Sequence, residues 1–192
     1  MKIFISGGCK NGKSTFAQLL AKRQQKAAPV ASAAPLYYVA TMAATDREDD
    51  RRIIRHRQER EGWGFTTVEQ PRNISGILEN CDASGSFLLD SLTALLANEM
   101  FAKDGSVDEN AEGRIAAQLQ TLLGCVENIV VVSDYIYSDA AIYDPLTQAY
   151  RKSLAALDRL VAEAADVVLE AVNTQIVVHK GQEAFESIGA AG

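Results

Sequence analysis

Residues 7–14 read Gly-Gly-Cys-Lys-Asn-Gly-Lys-Ser and fit the spacing G-x-x-x-x-G-K-[ST], with Gly7, Gly12, Lys13 and Ser14 in the fixed places. This pattern can hold a chain of phosphates. Glycines permit positive φ, so successive N–H groups of Gly8, Cys9, Lys10, Asn11 and Gly12 can converge on phosphate oxygens. A helix starting at Lys13, Ser14 and Thr15 adds the partial positive charge of its N-terminus. Lys13 would reach the β- and γ-phosphates of a nucleoside triphosphate, and the Ser14 hydroxyl would ligate Mg²⁺. The bland alternative is a glycine-rich turn with a chance lysine. The flanking residues argue against it, since Lys2-Ile3-Phe4-Ile5-Ser6 reads as a buried strand and residues 15–22 as a helix.

Such a loop works with a carboxylate at the end of a neighbouring strand. Asp90 after Phe87-Leu88-Leu89 and Asp134 after Val130-Val131-Val132-Ser133 both have that form. Asp90 is favoured as the catalytic and Mg²⁺-binding acid, because a helix follows at once and would hold the strand end rigid. Either acid could instead be a helix cap.

A second chemistry is legible in residues 46–61. Arg52, His56 and Arg60 recur every four residues and share one helical face. The cations suit a triphosphate and disfavour imidazolium, leaving His56 neutral and nucleophilic. A neutral imidazole can attack an α-phosphate and carry the nucleotide covalently. The competing view is a solvated helix, with Glu48/Arg52, Arg55/Glu59 and Arg57/Glu61 as ordinary i,i+4 pairs.

The remaining elements must bring these groups together. Strands are expected near 36–41, 65–68, 86–90, 128–133, 166–171 and 175–179, the last two joined by a turn at Asn173-Thr174. Helices are expected at 71–80, 91–102, 111–125 and 145–165, the last with Pro145 in its first turn. Strands alternating with helices imply an α/β three-layer sandwich of the P-loop type, with a mostly parallel sheet. The reading gives one nucleotide-binding domain over 1–180 and a mobile tail over 181–192.

The 192 residues, 47% hydrophobic and 23% charged, suit a single domain with a sizeable core. The net charge of −6 argues against a chain built to coat nucleic acid. No apolar run approaches the roughly 18 residues of a membrane span. Cys9, Cys81 and Cys125 form neither a disulfide framework nor a metal-binding pair. With the first core strand at the N-terminus, these features lead us to expect a cytoplasmic protein.

The assembled residues resemble the bifunctional adenosylcobinamide kinase/adenosylcobinamide-phosphate guanylyltransferase family of cobalamin biosynthesis. The matching stretches run in order along nearly the whole chain. They are the glycine loop, Tyr38-Val39-Ala40-Thr41, Arg52-Ile53 with His56 and Arg60, Trp63, and Val68-Glu69-Gln70-Pro71. Leu89-Asp90-Ser91-Leu92-Thr93 with Asn98, Tyr150-Arg151 and Ala164-Ala165-Asp166-Val167-Val168 follow. The resemblance implies phosphorylation of adenosylcobinamide by ATP or GTP, then transfer of GMP from GTP through a guanylylated His56. It implies a homotrimer, and it adds Glu69 to a nucleotide-binding set that includes Arg52 and Arg60. Asp134-Tyr135-Ile136-Tyr137 and Ala155-Ala156-Leu157-Asp158 depart from the family's Asn-Glu-Val-Gly and Gly-x-x-Asn. A kinase for another small molecule and a silent nucleotide-binding paralogue remain alternatives.

Overall fold

Seven strands form one sheet whose edge-to-edge order is β3-β2-β4-β5-β1-β6-β7. They are β1 (Lys2–Gly7), β2 (Leu36–Ala40), β3 (Thr66–Glu69), β4 (Ser86–Asp90), β5 (Asn128–Val132), β6 (Val167–Val172) and β7 (Gln175–Lys180). The structure is a computed structural model that describes residues 1–27, 34–43, 61–102 and 104–190. Every neighbouring pair from β3 to β6 is parallel, and β7 joins β6 antiparallel. Asn173 and Thr174 both have positive φ, 46° and 67°, as the two-residue hairpin between β6 and β7 requires.

The helices are α1 (Lys13–Ala27), α2 (Leu92–Met100), α3 (Ala111–Cys125), α4 (Pro145–Ala164) and α5 (Gln182–Ala190). Two core clusters divide the strand residues with period two. Phe4, Phe87, Leu89, Ile129 and Val131 pack with α2, α3 and α4, while Ile3, Ile5, Leu88, Val130 and Val132 pack with α1 and α5. A strand covered on both faces cannot alternate apolar with polar, which is why β4 and β5 read as unbroken apolar runs. The fold is the expected α/β sandwich, with helices on both faces of a mostly parallel sheet.

Two stretches differ from the sequence reading. The segment after Pro71 forms only a 3-10 turn, Ile74–Glu79. Glu99 and Gln118 accept hydrogen bonds from the Asn73 and Ile74 amides, which otherwise would be orphan donors. Beyond residue 180 the chain continues into α5, where the sequence reading placed a tail. Phe185 lies 6.4 Å from Phe16 of α1 between ring centroids, and Ile188 is buried in the same cluster.

Because β1, β2, β4 and β5 run parallel, their C-terminal ends meet at one sheet edge. The glycine loop, Thr41, Asp90 and Asp134 all leave the sheet there. In an open α/β sheet, ligands bind outside that edge.

Candidate functional site

The glycine loop is shaped by two close constraints. A side chain at Gly7 would run into the Ala171 carbonyl of β6, so β1 can pass there only as glycine. Gly12 turns the chain into α1 at φ 79°, where a Cβ would be strained. Asn11 Nδ2 donates to the Ala171 carbonyl at 3.1 Å, tying the loop to β6. Cys9 and Lys10 are exposed at its tip, and Gly8 and Ser14 are half-buried. Lys13, the first residue of α1, is 5% exposed. It donates to the Gly8 carbonyl at 2.7 Å and to Asp134 Oδ1 at 2.8 Å.

The structure separates the two candidate acids. Asp134 follows β5, the immediate neighbour of β1, and pairs with Lys13. Asp90 ends β4, two strand steps from β1 or roughly 10 Å. Its Oδ2 accepts a hydrogen bond from the Tyr38 hydroxyl at 2.6 Å. Neither acid is a helix cap. Ser91 caps α2 by accepting from the Ala94 amide, and Asp144 caps α4.

Several stretches quoted above as family-like, though distant in sequence, converge around Asp90. Thr41 Oγ1 donates to the Ser91 carbonyl and accepts from the Ser91 amide, both at 2.7 Å. Asn98 Nδ2 donates to the carbonyls of Thr41 and Pro71, at 2.7 and 3.0 Å. Thr93 extends the framework to the other acid. Its hydroxyl accepts from the Asp134 amide at 2.9 Å, and its carbonyl accepts from the Tyr150 hydroxyl at 2.9 Å. These bonds join the ends of β2, β4 and β5 into one rigid rim.

Glu69, by contrast, ends the edge strand β3 with β2, β4 and β5 between it and β1. That is four strand spacings, roughly 19 Å, so it is not beside Lys13. Arg52, His56 and Arg60 lie outside the described residues.

The sequence reading marked Tyr137 and Asp158 only as departures from the family pattern, and missed that they form a part-buried polar pair. Asp158 of α4 is 2% exposed, and its Oδ2 accepts from the Tyr137 hydroxyl at 2.9 Å. Burial pushes its carboxyl up to about 6, helped by the nearby Asp134 charge and opposed by the Ser133 and Tyr137 hydroxyls. The same environment pushes the Tyr137 phenol up. The signal was present in α4, where Leu154, Leu157, Asp158 and Val161 fall on the one buried face. The two departures from the family pattern, at 134–137 and 155–158, therefore touch each other.

A stability prediction follows. The native state holds the Asp158 proton more tightly than the unfolded chain, whose ordinary value is 3.8. Stability from this group therefore falls as pH rises from about 4 to about 6 and is flat above. Asp158→Asn keeps an acceptor for Tyr137 and removes the buried charge. It should stabilise the protein at pH 8 by on the order of 2 kcal/mol and remove that falling segment from its urea-denaturation profile. A variant no more stable than wild type at pH 8 would contradict the assignment.

The donor chemistry at the rim fits a hard cation. The Ser14 hydroxyl and the Asp90 carboxylate, the two groups expected to meet a metal, both offer oxygen donors. That suits Mg²⁺, which is bound by one or two protein oxygens together with substrate phosphates.

Residues 3–177 match the family model described as cobinamide kinase/cobinamide phosphate guanyltransferase. The chain belongs to that family. Among its relatives is the bifunctional adenosylcobalamin biosynthesis protein CobP of Pseudomonas aeruginosa, 29% identical over 85% of this chain and 88% of that one. The protein CobU of Escherichia coli K12, of the same description, is 26% identical over 88% of this chain and 93% of that one. In three dimensions the chain is similar to the KaiC-like protein PH0186 of Pyrococcus horikoshii, with a TM-score of 0.49 and 13% identity over 93% of this chain and 79% of that one. The glycine loop, Asp90 and the Thr41, Ser91 and Asn98 framework all lie within the residues matched by that cobinamide kinase/guanyltransferase family model. Asp134, Tyr137 and Asp158 are the residues that set this chain apart from the pattern quoted above.

Proposed function

We propose that this family member phosphorylates the aminopropanol hydroxyl of adenosylcobinamide with ATP or GTP, and then transfers GMP from GTP to the new phosphate through a guanylylated His56. The observation that carries the proposal is Lys13, a buried lysine whose ammonium is held against the Gly8 carbonyl of the glycine loop. A lysine held there is placed for charge on β- and γ-phosphates, and the α1 N-terminus adds to it.

In the first step the acceptor oxygen attacks the γ-phosphorus, the bond to the β-phosphate oxygen breaks, and the nucleoside diphosphate leaves. Ser14 and Asp90 would hold Mg²⁺, which neutralises charge on the phosphates when bound. In the second step an imidazole nitrogen of His56 attacks the α-phosphorus of GTP and pyrophosphate leaves. The acceptor phosphate then attacks the same phosphorus and frees the histidine. Arg52 and Arg60 hold the triphosphate during the attack, and Glu69 belongs to the nucleotide set by family resemblance. The proposal also includes a cytoplasmic enzyme acting as a homotrimer.

The Tyr137 and Asp158 contact favours a second reading, a kinase for a different small acceptor, because it fills with a phenol and a carboxyl a place where the family pattern has glycine and asparagine. Incubation with GTP labelled separately at the α- and γ-positions, with and without adenosylcobinamide, separates the readings. The proposal expects γ-label in the acceptor and α-label first on the protein, then in the product. Bound nucleotide whose label never moves would leave a silent paralogue.

A further inference from the structure

We infer that Asp134 takes the proton from the acceptor hydroxyl in the phosphoryl-transfer step, having first served as the counter-ion of Lys13. The inference rests on the reading of Lys13 as the phosphate-binding lysine. Asp134 Oδ1 lies 2.8 Å from the Lys13 ammonium, with the Asp134 side chain 31% exposed against 6% for Lys13. A γ-phosphate that claims the ammonium would therefore bring its own oxygens within a few ångströms of that carboxylate. A hydroxyl aligned to attack the γ-phosphorus sits about 3–3.5 Å from it, within hydrogen-bond reach of the same group.

The surroundings fix Asp134 in this place. Thr93 Oγ1 accepts from its amide at 2.9 Å, and the next amide, of Tyr135, donates to the Gly7 carbonyl at 3.0 Å. The backbone that carries the carboxylate is thus anchored to both α2 and the first glycine of the loop. The groups facing it are Lys13 from α1 and, from α4, the Tyr150 phenol and the Asp158 carboxyl, both coupled to its charge. Once the triphosphate occupies Lys13, Asp134 loses its cation partner, and its carboxylate oxygen is left to accept a hydrogen bond from the acceptor hydroxyl. Asp90 is less suited, since Tyr38 already donates to it and it stands one strand farther from β1. The step balances: the hydroxyl oxygen bonds to the γ-phosphorus, its proton passes to Asp134, and the nucleoside diphosphate leaves with the electrons of the broken bond.

The test compares wild type with Asp134→Asn and Asp134→Ala, using ATP and adenosylcobinamide. Asp134→Asn should lower kcat for γ-phosphoryl transfer about 100-fold, the usual worth of a general base. It should bind ATP alone at least as tightly as wild type, because a carboxylate no longer neutralises Lys13. Added formate should restore Asp134→Ala at least tenfold, which a structural role would not allow. A kcat for Asp134→Asn within threefold of wild type overturns the inference. So does a parallel loss of ATP affinity or of the fold in both variants, which would make Asp134 a structural partner of Lys13. A wild type that binds ATP but phosphorylates nothing removes the reading on which the inference rests, and the inference with it.

Discussion

Replacing His56 with Ala is expected to abolish covalent capture of label from α-labelled GTP and to leave the fold intact. This outcome follows from the sequence face shared by Arg52, His56 and Arg60. If that face were only a solvated surface, the substitution would change stability by no more than about 0.5 kcal/mol and do nothing else. If His56 is the nucleophile, the substitution removes the neutral imidazole that attacks the α-phosphorus, and the adduct no longer forms. The wild-type adduct should be acid-labile and base-stable, as a phosphoramidate is, which separates it from a serine or threonine ester. Arg52→Ala and Arg60→Ala should weaken capture without removing it, since they stabilise charge and do not attack. The γ-phosphoryl step should survive in His56→Ala, because it uses Lys13, Ser14 and Asp90. Undiminished labelling of His56→Ala would move the nucleophile elsewhere.

Replacing Lys13 with Ala should cost at least ~2 kcal/mol of triphosphate affinity or transition-state stabilisation, roughly thirty-fold. Two effects add. The ammonium that meets the β- and γ-phosphates is lost, and Asp134 is left as an uncompensated negative charge facing them. Pairing the change with Asp134→Asn should recover part of the affinity, because the leftover charge is then gone. Titration of the single and double variants with ATP measures both parts. Wild-type affinity and turnover in Lys13→Ala would remove the phosphate-binding role from the loop.

The parts of this molecule that were legible in its sequence are those decided within a few residues. The passage from β1 through the glycine loop into α1 is one continuous pattern, and the loop folds as the pattern requires. The buried strands β4 and β5 announced themselves as apolar runs because both their faces are covered. Asn173-Thr174 announced a hairpin because a two-residue turn needs positive φ. The rim was legible only as a set of separate stretches. Nothing local says that Thr41 would exchange hydrogen bonds with Ser91, or that Thr93 would hold the amide of Asp134.

The choice between Asp90 and Asp134 turned on strand order, which the sequence does not state. With β5 placed between β4 and β1, Asp134 becomes the lysine's partner and Asp90 moves one strand away. Asp158 was hidden for a related reason. A carboxyl on a buried helical face looks like an irregularity until the Tyr137 hydroxyl, 21 residues away, is brought against it. The helix α5 was read as a tail because its two anchors, Phe185 and Ile188, are few, and their partner Phe16 lies far earlier in the chain.

The most direct test of the account is the fate of the acceptor itself. Wild-type protein is incubated with adenosylcobinamide, GTP and Mg²⁺, and the corrinoid is followed by mass spectrometry over time. The account predicts that adenosylcobinamide gains one phosphoryl group and then one GMP, in that order, with pyrophosphate released as the protein is guanylylated, before the second product forms. Adenosylcobinamide recovered unchanged from a protein that binds GTP would contradict it.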